Sequence, residues 1–192
     1  MGLPEIFISF QTAAVSAITR SARGVLAVAV KDATAGGATE AAYKSLAEVP
    51  EDKFSPENYR LLKLAFLAAP TKVWVLRVGE DAEKTYQALE RLRFDWLAAP
   101  GLEDARVMSF IKTLRNGGRG VKAVVANATA PDCEGIVNLC VSGLTLEDGA
   151  MEAKDYAVRV AALLAALPLT RSATYVNLPE VVGCDALAEP DE

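Results

Sequence analysis

Histidine is absent from this 192-residue chain. Its absence removes imidazole zinc ligands, Ser-His-Asp and Cys-His dyads, and any mechanism that needs an unperturbed side chain titrating near neutrality. Cysteine is limited to three residues, Cys133, Cys140 and Cys184, with no paired C-x-x-C spacing. That pattern argues against a disulfide framework and against a structural zinc site, and the expectation is reduced, buried thiols, with Cys140 inside an apolar strand. No segment approaches the roughly 20 apolar residues of a membrane span, and Val160 to Leu169 reads as a buried-helix run instead. An excess of positive charge is also missing. The 20 Lys and Arg against 25 Asp and Glu leave a net charge of −5, which disfavours nucleic acid and anionic membrane as partners. The opening Met1-Gly2-Leu3-Pro4-Glu5 has no basic region leading into an apolar core, so it is not a secretory signal. Ile6 stands where a myristoylation motif needs Ser or Thr.

What is present is a core-forming composition. Hydrophobic residues make up 52% of the chain, enough to exclude disorder as a description of the whole. The length suits one ordinary domain, or a small domain divided in two. Gly24 to Val30 reads as a buried strand, and Ala42 to Leu46 as another. Ser55-Pro56-Glu57 supplies a cap, a proline at the first helical position and an acidic first turn. Leu62, Ala65, Phe66 and Ala69 then repeat at helical spacing up to Pro70. Lys72 to Val78 is a strand, and Ala82, Tyr86, Leu89 and Leu92 mark a second helix. Phe94 to Ala98 is a short strand, and Val107, Phe110, Ile111 and Leu114 mark a third helix closed by Gly117-Gly118. Strands follow at Val121 to Ala126 and Gly135 to Val141. Tyr156, Val160, Leu163, Leu164 and Leu167 mark a fourth helix, ended by Pro168. Alternating strands and helices predict an α/β fold, a largely parallel sheet with helices packed on it.

Candidate chemistry is thin. The glycine clusters Gly36-Gly37 and Gly117-Gly118-Arg119-Gly120 match neither G-x-G-x-x-G nor G-x-x-x-x-G-K-[ST]. The second lies between a helix and a strand, the reverse of a phosphate loop. Glu51-Asp52, Glu103-Asp104 and Glu147-Asp148 are sequence neighbours and not carboxylates converging across a cleft, so solvation and helix-dipole complementation account for them. A nucleophilic Cys133 or Cys140 would need a cation or helix N-terminus beside it, and Cys133 is flanked by Asp132 and Glu134. Arg106, Lys112, Arg115, Arg119 and Lys122 form a basic stretch without the interleaved aromatics of a nucleic-acid groove. No catalytic, cofactor-binding or metal-ligating residue is expected.

Glu5 to Phe10 stands apart. Ile6, Ile8 and Phe10 fall on one face of a strand and Phe7 on the other, an apolar pattern that a free terminus would not leave in water. It is either an internal edge strand or a strand given to a neighbouring subunit, paired main chain to main chain. The Ala/Ser/Thr-rich stretch after it, with Arg20, Arg23 and Gly24 at its end, suits an arm. On the second of these readings, residues 1–23 form a strand and linker arm and 24–192 an α/β domain.

Gly2 to Phe10, Ala17 to Val25, Lys72-Val73-Trp74-Val75-Leu76-Arg77, Asp132 to Asn138 and Tyr156 to Ala161, running on through Leu167-Pro168-Leu169 to Tyr175, together resemble contractile-tail sheath proteins of defective-prophage and Clostridium-type phage tails. Sheath proteins of this type are usually much longer, so the similarity is to their N-terminal region. The resemblance implies a homo-oligomer of rings or a helical polymer around a tail tube, assembled in the bacterial cytoplasm and residing in a virion tail or phage-tail-like particle. It implies that Ile6, Phe7, Ile8 and Phe10 form the inter-subunit strand and Arg20, Arg23 and Gly24 its hinge. The tube contact would lie in regions beyond this chain, with no nucleic acid and no membrane insertion. The alternatives are an α/β nucleotide- or phosphate-binding enzyme working without histidine, with its site at the carboxyl ends of the strands, and a tail-tube or baseplate-type adaptor.

Overall fold

A computed structural model describes residues 24–34, 36–126, 133–168 and 170–185. Its centre is strand β1 (Val25–Val30), in which Leu26, Val28 and Val30 face one side of the sheet and Ala27 and Ala29 the other, all essentially inaccessible to solvent. An apolar run buried on both faces marks an interior parallel strand. Around it, β2 (Glu40–Tyr43), β3 (Lys72–Arg77), β4 (Trp96–Ala98), β5 (Lys122–Ala126) and β6 (Ile136–Leu139) complete a six-stranded sheet in the order β2-β3-β1-β4-β5-β6. All pairings are parallel except β2 with β3.

Helices cover both faces. On one side, α1 (Pro56–Phe66) and α4 (Ala153–Ala166) bring Leu61, Leu62, Ala65, Val158 and Ala161 against Leu26, Val28, Val73 and Val75. On the other, α2 (Ala82–Arg91) and α3 (Asp104–Asn116) bring Tyr86, Leu89, Val107 and Ile111 against Ala27, Ala29, Leu97 and Ala123. The expected α/β fold is therefore present: a mostly parallel sheet with helices packed on it. The local signals act as read. The Ser55 hydroxyl accepts from the Asn58 N–H at 3.2 Å, with Pro56 opening α1. Gly117 and Gly118 close α3, Gly118 at φ +85°.

Three features differ from the sequence reading. The second strand is Glu40–Tyr43, earlier than Ala42 to Leu46, because it is an outer antiparallel strand in register with Val73 to Leu76 of β3. A small antiparallel sheet adds β7 (Thr145–Leu146), β8 (Gly149–Ala150) and β9 (Val181–Gly183), covering Leu64, Leu144, Leu146 and Tyr156. Two-residue strands have no period to detect. The buried-thiol expectation is corrected: Cys140 and Cys184 are exposed and Cys133 is partly so. Cys140 follows an outer strand whose middle residues, Val137 and Asn138, are themselves exposed, so an apolar run here marks the rim of the sheet.

Candidate functional site

In the sheet order, the chain runs outward from β1 to β2 and then β3, and the connection from β3 returns past β1 to β4. Such a reversal opens a crevice at the carboxyl ends of the strands, the place where doubly wound sheets bind ligands. Here it measures about 720 Å³ and is lined by Lys31, Asp32, Glu80, Tyr86, Gly101, Glu103 and Arg106, among others. An α/β nucleotide enzyme would place its phosphate there.

The floor of the crevice is closed by backbone. The Gly101 N–H donates to the Ala29 carbonyl at 2.9 Å, and a Cβ at Gly101 would lie 2.7 Å from the Lys31 nitrogen. The chain thus crosses directly over the end of β1, where a phosphate would need open N–H groups. Carboxylates surround both helix N-termini as well. Asp81 caps α2 by accepting the Glu83 N–H at 3.0 Å, while Glu103 precedes α3 and Asp104 opens it. Glu80, Asp81 and Glu103 oppose a phosphate there, and the cations nearby are partly committed, Arg106 to Glu83 and Lys154 to Asp104, with Lys31 left as an exposed cation on the crevice wall.

Asp32, at the end of β1, is already committed. Its side chain is fully buried. It accepts from the Thr34 N–H at 2.8 Å, the Ser55 N–H at 3.0 Å and the Asn58 side-chain amide at 2.8 Å. The Arg77 guanidinium lies 3.6 Å away. Burial pushes the Asp32 carboxyl up, but the hydrogen bonds from Ser55, Thr34 and Asn58 outweigh it and bring it down to about 2. Arg77 donates to the Thr34 carbonyl at 2.8 Å and to the Lys53 carbonyl, and its guanidinium lies 4.7 Å from the centre of the Phe54 ring. A Cβ on Gly37 would fall on that guanidinium. The Gly36-Gly37 pair therefore makes room for an arginine and is no phosphate cradle. Among the described residues, no group of three or more Cys, Asp or Glu is arranged to hold a metal ion.

Of the residues expected to act between subunits, Ile6, Phe7, Ile8, Phe10, Arg20 and Arg23 lie outside the described residues. Gly24 is described. Its φ of +131° suits glycine, and its N–H donates to the Asp95 carboxylate at 2.9 Å, as the Val25 N–H does at 3.0 Å. A Cβ there would meet the Ala165 carbonyl at 3.1 Å. The start of β1 is thus pinned to the domain.

The basic stretch is dispersed and mostly partnered. Arg106 pairs with Glu83 at 2.8 Å and Arg115 pairs with Glu134. Arg119 donates to the Glu90 and Leu92 carbonyls, and Lys122 lies over the Trp96 ring. Of the acidic pairs, Asp148 binds Arg60. One buried cluster gives no signal in the sequence. Glu180, in the segment before β9, accepts from Arg159 at 2.5 Å and from the Tyr156 hydroxyl at 3.0 Å. Burial pushes Glu180 up, but Arg159 and Tyr156 hold it below its ordinary value; burial and Glu180 push Tyr156 upward. Tyr156 and Arg159 stand at helical spacing on α4, but their partner lies 21 or more residues away, which no local pattern reveals.

The fold and this site define a doubly wound α/β domain whose ligand crevice is closed below and whose polar chemistry serves its own architecture. No protein-family model matches the chain. It is 32% identical over 197 residues to the tail sheath protein of Clostridium phage phiCD119, an alignment covering 94% of this chain and 53% of that protein. The chain is thus a tail sheath protein homologue, spanning about half the length of the curated relative it matches. Solved structures share the fold. The sheath tail protein from Desulfitobacterium hafniense aligns with a TM-score of 0.73 at 15% identity, over 95% of this chain and 66% of that one. The sheath tail protein from Listeria innocua aligns at 0.71 and 17%, over 88% and 63%. A chain of the anti-feeding prophage baseplate aligns at 0.59 and 11%, over 98% and 60%.

Proposed function

We propose that this chain belongs to a structural, non-enzymatic subunit of a contractile tail sheath, polymerising around a tail tube and contracting to drive the tube through a host envelope. The observation that carries the reading is the 32% identity spread over 94% of the chain. A closed switch point supports it, because mechanical work needs rigid bodies and interfaces and no nucleophile. Contraction on this view rotates subunits as rigid bodies from one set of packed contacts to another. The two buried polar clusters, around Asp32 and Glu180, brace loops and termini against that motion. Residues 1–23 act as the arm, with Ile6, Phe7, Ile8 and Phe10 lending a strand to a neighbour. Arg20, Arg23 and Gly24 form the arm's hinge, with Gly24 its fixed end. The partners are further copies of the chain and a tube protein, in a tail or tail-like particle assembled in the bacterial cytoplasm. Deletion of residues 1–20 from the full-length protein tests the arm. Loss of sheath polymers by electron microscopy supports it, and normal polymers end the strand-lending idea.

A further inference from the structure

The parallel sheet gives the domain two unlike ends. At the carboxyl ends of β1, β3 and β4 lies the crevice, with Glu80 and Glu103 exposed at its mouth. Of the crevice's other charges, Asp32 is spent on Arg77 and Arg106 on Glu83, which leaves Lys31 as one exposed cation against the two free carboxylates. Among the described residues, Glu80 and Glu103 have no ion-pair partner. On the inner wall stands Tyr86, 6% exposed, whose buried hydroxyl has no hydrogen-bond partner. A buried, unsatisfied hydroxyl carries a desolvation cost that a native structure normally offsets with a partner. Carboxylates at the mouth and a vacant phenol oxygen behind them form an acceptor set for a cation that donates hydrogen bonds, the chemistry of a guanidinium or ammonium group.

The opposite end supplies such groups. Lys72 and Lys122 begin β3 and β5, and Arg93 lies in the connection into β4. Arg171 shares a hollow with Asp95, Trp96 and Lys122. Arg93 and Arg171 are exposed, and among the described residues neither side chain has a hydrogen-bond or ion-pair partner. A six-residue strand separates the two ends by roughly 20 Å, more than twice the Debye length of about 8 Å at physiological salt. Each end therefore presents its own sign to a neighbour and is not neutralised by the other.

We infer that the crevice is a docking site for a second copy of this chain, approached head to tail. The Glu80, Glu103 and Tyr86 end of one copy receives a basic side chain from the Arg93, Lys122 and Arg171 end of the next. Such a contact joins two different patches, so it repeats into a ring or filament and does not stop at a dimer. It rests on the sheath reading only in taking a second copy as the partner. Electrostatic complementarity of this kind sets orientation and register, and it weakens with salt.

Sedimentation of the 192-residue chain at about 30 mM and about 500 mM salt tests it, since screening lengths differ several-fold between the two. Wild type is expected to self-associate at low salt and dissociate at high salt. E80K/E103K and R93E/R171E each place like charges on both ends, and each is expected to weaken association at least about tenfold. Mixed together, the two variants complement each other at both contacts and associate again. Tyr86→Phe is expected to weaken association while leaving the urea midpoint unchanged or raised, since it removes an unpaired buried hydroxyl. Restoration in the mixture confirms the contact. A wild type that stays monomeric at low salt, undiminished association in either charge variant, or a mixture that stays monomeric overturns it. Association surviving both reversals leaves the sheath reading standing, because that reading falls only if the full-length protein forms no sheath.

Discussion

Asp32→Asn removes one charge and turns one carboxylate oxygen into a donor, at a side chain with no solvent exposure. The carboxyl titrates near 2 in the folded protein against an ordinary 3.8, a difference of about 2.5 kcal/mol at neutral pH. The sign follows from the depressed folded value. This stability is fully present above the unfolded value and is lost as pH falls from about 4 towards 2. The substitution also leaves Arg77, 9% exposed, without its counter-charge. It further sets an amide donor against the Ser55 and Asn58 donors that Asp32 now satisfies. Breaking a buried pair costs about 3–5 kcal/mol, so D32N is expected to lose about 2.5 to 5 kcal/mol. Trp74 and Trp96, on β3 and β4, report unfolding by fluorescence. Urea midpoints measured from pH 7 to pH 2 should fall more steeply below about pH 4 for wild type than for D32N. A variant within about 0.5 kcal/mol of wild type at pH 7, or an identical pH profile, would refute the role assigned to Asp32.

Glu180→Ala leaves Arg159 buried and unpaired, and should cost about 3–5 kcal/mol. Because the Glu180 carboxyl is held below its ordinary 4.5, its share of stability is present above that value and fades as pH drops through the folded one. Acid titration of wild type and variant checks the difference. Gly101→Ala forces a Cβ to 2.7 Å from the Lys31 backbone nitrogen, and thermal unfolding should show a loss of about 1–3 kcal/mol or more. A Gly101→Ala protein as stable as wild type would mean the crevice floor is not closed as described. In native protein, Cys140 and Cys184 should react with a thiol reagent before Cys133, in line with their exposure. Three equally slow thiols would restore the buried reading.

The long, strongly patterned elements are legible in the sequence because local chemistry and tertiary burial agree. β1 is apolar on both faces and is buried on both, and Ser55-Pro56 caps α1 as the spacing requires. The edges are not legible. β2 and β6 are half-exposed, so their alternation carries little signal, and the apolar run at Cys140 beyond β6 suggests an interior that the fold does not give it. The small second sheet depends on β9 pairing back to β7 across 35 or more residues, a contact without a sequence period. The site is legible chiefly as an absence. The missing phosphate loop corresponds to Gly101 crossing over β1, and the Gly36-Gly37 pair makes room for Arg77. The Asp32–Arg77 and Glu180–Arg159 pairs are invisible, since their members are far apart in the chain and each residue alone looks like an ordinary surface charge.

Reconstruction by cryo-electron microscopy of the particles that contain this protein bears most directly on the sheath reading. A sheath subunit places the β2-β3-β1-β4-β5-β6 domain, repeated around and along the axis, in an outer cylinder surrounding a separate tube. Finding the domain in the inner tube, confined to a baseplate ring, or in no polymer would contradict it.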